Sequence, residues 1–265
     1  MKFWKLSGSG NDFVFFDGRG DDLLVRRNSD PGFVRALCEQ HLGVGADGVG
    51  IIKNDAEHDF GLIYLNRDGS RGELCGNASL CATRLAVDLG IAKAQGLNFR
   101  TDAGTIAGRI RGGRPEIDLQ PPTGLLADAG ISRHLGEQRL GFVNTGVPHL
   151  VVRTEDVQFV ELGNRGPELR FHSSQPRGAN VNWVGKRPDG SWAMRTYERG
   201  VEAETLACGT GAVACAVLLA AWGESGDETS LETRSGRTLT VRLGGPQPSL
   251  AGEGRIVFEG SLREL

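Results

Sequence analysis

Residues Cys75–Gly90, CGNASLCATRLAVDLG, are answered 133 residues later by Cys208–Gly223, CGTGAVACAVLLAAWG. Both stretches open Cys-Gly-polar-small and run through about a dozen helix-compatible residues. Both place leucine at the same position, Leu85 and Leu218, and both stop at a glycine suited to the left-handed residue that follows a helix. Their surroundings repeat as well. An alternating strand and a turn precede each, FGLIYLNRDGSRG from Phe60 and WAMRTYERGVEAE from Trp192. A Thr-x-x-Gly segment leading into another strand follows each, FRTDAGTIAGRI from Phe99 and LETRSGRTLTVRL from Leu231. A Cys-Gly pair found twice says little in a chain with 40 glycines among 265 residues. The whole order found twice is the signature of a duplicated unit.

The expected fold class is therefore α+β: two structurally similar α/β domains, residues 1–122 and 123–254, related by a pseudo-twofold axis. The segment 255–265, with the strand-like RIVFEG from Arg255, returns to the first domain. Short alternating strands such as HLVVR and NVNWVG supply most of the remainder.

Composition removes other classes. The 30 Lys and Arg balance 33 Asp and Glu to a net charge of −3, without the basic clusters that nucleic acid requires. The longest apolar run, Ala212–Trp222, is too short to cross a bilayer. MKFWKLSGSGNDF carries no apolar core of a signal peptide, so a cytoplasmic, reducing location is expected, where cysteines more often serve catalysis or packing than disulfides. No His or Cys pair has metal-ligand spacing, and no metal is expected.

A thiol at a helix start meets unpaired N–H groups and the positive end of the helix dipole. That setting lowers a cysteine pKa from about 8.5 into the range of roughly 3.5–7.5 and also attracts a carboxylate. If the duplicated domains face one another, Cys75 and Cys208 oppose across a shared cleft. A small carboxylic acid held there has a sulfur on each face of its α-carbon. One thiolate can remove the α-proton while the other thiol delivers a proton from the opposite side. Three other readings stay open on these residues. A Cys–His hydrolase would use Cys75 and His149; a phosphate-binding module would use the helix starts alone; a redox protein would join the thiols.

The motifs GSGNDFV (Gly8–Val14), LGVGADG (Leu42–Gly48), LNRDGS (Leu65–Ser70), CGN (Cys75–Asn77), TGVPH (Thr145–His149), ANVN (Ala179–Asn182), YERG (Tyr197–Gly200) and ETLACGTGA (Glu204–Ala212) resemble, in order, those of the diaminopimelate epimerases. The resemblance implies, for each domain, a curved and mostly antiparallel sheet around a central helix. It implies cofactor-independent interconversion of L,L- and meso-diaminopimelate, on the way to lysine and peptidoglycan, by a homodimer. It makes Cys75 and Cys208 the acid–base pair. Substrate contacts carry over onto Asn11, Asn66, Gly76, Asn77, Asn180, Glu198, Arg199, Gly209 and Thr210, with His149 bordering the cleft. A related two-cysteine racemase acting on another amino acid is the alternative within this fold.

Each residue type suits such a substrate. Gly76-Asn77 and Gly209-Thr210 offer backbone N–H groups to the carboxylate where carbanion charge gathers. Arg199 can fork a distal carboxylate, Glu198 can pair with an ammonium, and the asparagines add neutral donors and acceptors. The chain departs from the family pattern at Ala78, Leu80, Gly48 and Val147. Cys38, Cys81 and Cys215 are expected to be small buried hydrophobes. His149 is placed in a Pro-His turn.

Overall fold

The structure, a computed structural model, describes residues 1–263; the last two positions of the expected returning segment 255–265 lie outside the described residues. The chain divides into two compact units, Met1–Asp118 with the segment from Ala251, and Leu119–Leu250. Each is built mostly of strands with a few helices.

In the first unit β1 (Lys2–Gly8) and β2 (Asn11–Asp17) form a hairpin, and α1 (Asp22–Asn28) and α2 (Pro31–Cys38) follow. The aspartates Asp21 and Asp30 cap these two helices by accepting from the amides of Leu24 and Phe33. β3 (Gly48–Lys53) then runs parallel to β2, and β4 (Phe60–Asn66) runs antiparallel to β3 with the short β5 (Arg71–Gly72) on it. After α3 (Gly76–Asp88), β6 (Leu97–Thr101) lies parallel to β4, and β7 (Gly104–Arg111) and β8 (Arg114–Asp118) continue antiparallel.

The second unit repeats this plan. β9 (Thr123–Leu126), β10 (Glu137–Asn144) and β11 (Pro148–Thr154) precede α4 (Leu162–Arg170). β12 (Asn180–Lys186) is parallel to β11, β13 (Trp192–Glu198) is antiparallel to β12, and β14 (Ala203–Thr205) sits on β13. Following α5 (Gly209–Ala221), β15 (Glu228–Glu232) is parallel to β13 and antiparallel to β16 (Thr238–Arg242). β17 (Ser249–Ala251) comes next, and β18 (Arg255–Ser261) pairs antiparallel with β1 of the first unit.

The repeat extends to register. Phe13 pairs with Gly48 where His149 pairs with Asn180. Gly50 pairs with Tyr64 where Asn182 pairs with Thr196. Phe60 pairs with Phe99 where Trp192 pairs with Leu231. Phe13, Gly50 and Tyr64 are thus the positional equivalents of His149, Asn182 and Thr196.

Small residues explain how a sheet closes around each helix. Ala78, Cys81, Ala82 and Ala86 of α3, and Ala212, Ala214, Cys215 and Ala216 of α5, are fully buried. Short side chains let strands approach from several sides: β1, β3, β7, β8 and β18 pack on α3, and β10, β11, β12, β15 and β16 on α5. Leu85 and Leu218 are fully enclosed, each burial contributing about 1.5–3 kcal/mol. Both helices end at a glycine with positive φ, Gly90 at 67° and Gly223 at 74°, where a side chain would be strained.

Candidate active site

Cys75 and Cys208 are the N-cap residues of α3 and α5, with nearly the same extended backbone, φ −129° and ψ 116° against φ −132° and ψ 111°. Helix geometry leaves the amides of Gly76-Asn77 and Gly209-Thr210 without carbonyl partners one turn earlier, so each cysteine stands beside free N–H groups and a positive dipole end. Cys75 is half-buried and Cys208 buried.

In the first unit, the Asn77 side-chain amide donates to Asn11 Oδ1 at 2.7 Å, and Asn11 donates to Asp47 at 3.0 Å. Asp47 also accepts from the Asp12 amide, and Asp12 pairs with the largely buried Lys5 at 2.5 Å. The helix start bearing Cys75 is therefore tied to β2 through two of the expected substrate residues, Asn11 and Asn77. Gly8 permits this approach. A Cβ there would lie 2.9 Å from the Asn77 carbonyl oxygen and 3.0 Å from Cys81 Sγ. Asn66, at the end of β4, donates to Ser70 across its own turn at 3.0 Å. Of the departures from the family pattern, Ala78 and Leu80 are fully buried core residues. Gly48 admits no side chain, since a Cβ would sit 2.7 Å from the Leu65 carbonyl oxygen.

In the second unit, Cys208 Sγ accepts from the Gly211 amide at 3.4 Å and lies 3.5 Å from Thr210 Oγ1. Thr210 Oγ1 is 3.1 Å from His149 Nε2, and its carbonyl accepts from Thr145 at 3.0 Å. Asn180 holds the turn after β13 by accepting the Arg199 amide at 2.8 Å, and the Arg199 guanidinium donates to the Arg177 carbonyl at 3.4 Å. Glu198 is the last residue of β13. His149 is not in a turn as its Pro-His context suggested. It is a fully buried residue of β11, with Pro148 opening the strand, a position where proline's missing N–H is tolerated. Burial first, and Arg199 second, push its pKa down to about 3, so the imidazole is neutral. Asn182, the last residue of the ANVN motif but given no role by it, lies behind it at 3.0 Å. The visible signal was a second asparagine on the same strand face as Asn180, two residues on.

The other thiols are inert. Burial raises Cys38 to about 11, and it holds Cys81 and Cys215 well above the ordinary cysteine value, helped by Cys75 and Cys208 respectively. Among the described residues no group of three or more His, Cys, Asp or Glu is placed to hold a metal ion, and no helix is long and apolar enough to cross a membrane.

Fold and site together define a two-unit α/β protein with a cysteine heading the central helix of each unit. The fold is that of a phenazine biosynthesis protein from Bacillus anthracis, at TM-score 0.74 and 13% identity over 100% of this chain and 99% of that one. The family model described as diaminopimelate epimerase matches residues 3–119 and 141–251. The chain is 47% identical to a diaminopimelate epimerase of Gemmatimonas aurantiaca with both chains covered in full. It is 44% identical to one of Aquifex aeolicus, covering 100% of this chain and 98% of that protein. This chain belongs to the diaminopimelate epimerase family, a family of isomerases.

Proposed function

We propose that the chain interconverts L,L- and meso-diaminopimelate without a cofactor, supplying lysine and peptidoglycan synthesis, with Cys75 and Cys208 as the acid–base pair. The observation that carries this is the cysteine at the N-cap of the central helix in each of two units that repeat one register, in a chain of this family. One sulfur, as thiolate, takes the α-proton and becomes a thiol. The other thiol gives its proton to the opposite face of the carbanion and becomes a thiolate, so no net proton is gained or lost. The roles exchange in the reverse direction. The N–H groups of Gly76, Asn77, Gly209 and Thr210 stabilise the charge on the reacting carboxylate, and each 1.36 kcal/mol so gained is about tenfold in rate. Asn11, Asn66 and Asn180 orient the substrate, while Glu198 and Arg199 take an ammonium and a carboxylate. The domains 1–122 and 123–254 act as copies of one duplicated unit, and the protein works as a homodimer in the cytoplasm.

Incubation with L,L-diaminopimelate in D₂O tests the reading by NMR. Expected are meso product and α-deuterium uptake by the native chain, and loss of turnover in both Cys75→Ser and Cys208→Ser with substrate still bound. Full turnover in Cys208→Ser refutes the two-thiol mechanism. Exchange in another amino acid but not in diaminopimelate makes the chain a sister racemase.

A further inference from the structure

Behind Cys208 runs a chain of polar groups, buried except for the half-buried Thr210, whose hydrogen-bond directions can be worked out from one fixed point. The Leu150 carbonyl oxygen can only accept, and it faces Asn182 Nδ2 at 3.2 Å. Turning the Asn182 amide over would set two oxygens against each other in a fully buried site, so its orientation is determined. Thr196 Oγ1 donates to Asn182 Oδ1 at 3.0 Å, consistent with that orientation. The second hydrogen of Asn182 Nδ2 points to His149 Nδ1 at 3.0 Å, which must therefore be the unprotonated nitrogen of a neutral imidazole. His149 Nε2 then carries the hydrogen and donates it to Thr210 Oγ1 at 3.1 Å. The Thr210 hydroxyl, already accepting, has its own hydrogen left for Cys208 Sγ at 3.5 Å.

We propose that Asn182 is a positioning residue for Cys208, locking the His149 tautomer so that the Thr210 hydroxyl donates to the sulfur and favours the thiolate. The inference rests on the acid–base role proposed above for Cys208. The equivalent positions behind Cys75 are Gly50, Phe13 and Tyr64, so neither the asparagine nor the histidine recurs there. The first of them cannot acquire a side chain, because a Cβ at Gly50 would lie 2.3 Å from the Phe15 ring. Arg199 is the charged group that acts on His149, and being a cation it opposes imidazole protonation and keeps the relay in its neutral form.

Two readouts test this on the full chain, neither of them turnover. Nitrogen-15 NMR of histidine-labelled protein, with the signal assigned by its loss in His149→Gln, is expected to show Nδ1 bare and Nε2 protonated. An Nδ1–H tautomer overturns the proposal. The second is the pH dependence of iodoacetamide alkylation at Cys208, located by mass spectrometry. Its midpoint is expected to rise by about one pH unit, the loss of one hydrogen bond to an ionised sulfur, in Asn182→Asp and in Thr210→Val. It stays in place in Thr210→Ser, which keeps the hydroxyl, and the Cys75 midpoint stays in place throughout. An unchanged Cys208 midpoint in folded Thr210→Val overturns the proposal, as does an equal rise at Cys75. Should Asn182→Asp fail to fold, the tautomer and the Thr210 pair still decide. A chain that does not epimerise diaminopimelate yet passes both readouts refutes the proposed substrate and leaves the relay standing.

Discussion

Replacing Gly211 by alanine sets two physical effects against each other, and the geometry decides the sign. Gly211 lies in the first turn of α5, where alanine is the better helix former by about 1 kcal/mol. Propensity alone therefore predicts a more stable protein. Space predicts the reverse. A Cβ at this position would stand 2.3 Å from Asn182 Oδ1 and 3.2 Å from both Asn182 Cγ and Cys208 Sγ. An oxygen at the end of a free side chain would swing aside at little cost, but this one is fully buried. Its amide is bonded to Thr196, His149 and the Leu150 carbonyl. Clearing the overlap needs a shift of roughly 1 Å, enough to break one or two of these bonds, each leaving a buried polar group unmatched at about 1–3 kcal/mol. After subtracting the propensity gain, the net loss is at most about 5 kcal/mol and centres on about 2–3 kcal/mol, which for units of this size lowers the unfolding midpoint by roughly 5–15 °C. Thermal and urea unfolding followed by circular dichroism measure it. The equivalent residue of α3, Ala78, already carries the methyl, so Ala78→Gly is expected to destabilise by only about 1–2 kcal/mol. Gly211→Ala melting at or above the native temperature would refute the close-approach argument.

Two more substitutions probe buried charge and buried neutrality. His149, with its folded pKa held down at about 3, stays neutral while the unfolded histidine takes a proton near pH 6.5. The unfolded state then binds more protons, so stability is intact above about pH 6.5 and drains as pH falls towards 3. Going from about pH 7 to about pH 5 should cost the native chain about 2 kcal/mol more than it costs His149→Gln. Parallel urea stability curves for the two proteins would contradict this. In the first unit Glu116 is fully buried against Arg109, which also holds Asp118 at 2.8 Å. Arg109→Leu removes the guanidinium bonded to that buried carboxylate, with Arg111 farther off at 3.7 Å, and should destabilise by about 3 kcal/mol. A midpoint within error of the native protein in denaturant would show that the pair carries no such weight.

What the sequence disclosed was what local chemistry controls. The helix starts at Cys75 and Cys208 and the stops at Gly90 and Gly223 were legible to the residue, because caps and left-handed glycines act within one turn. The Thr-x-x-Gly segments proved to be the turns between β6 and β7 and between β15 and β16, for the same reason. The parallel pairings of β2 with β3 and β4 with β6 were not legible, since each joins strands separated by long connections. His149 was misplaced because Thr-Gly-Val-Pro-His reads as a turn until the strand that follows claims its last two residues. Asn182 lies in the ANVN motif but carried no assigned role, because alternation marks a strand without saying which face is inward or what lies across it. Its role depends on Leu150, His149 and Thr196, three residues brought together only by the second unit's pairings.

The antiparallel pairing of β18 with β1, Lys2 opposite Ser261, has a consequence for synthesis. The second unit is one uninterrupted stretch, so all of its strands leave the ribosome before β18 is made. The first unit begins earlier and finishes later. Until β18 emerges, β1 offers an uncovered edge, with Phe3 lacking the ring of Phe258 that meets it at 6.0 Å in the finished fold. The half of the protein translated first is thus the half completed last, and throughout that interval its exposed strand is the place where a nascent chain would pair wrongly with a neighbour.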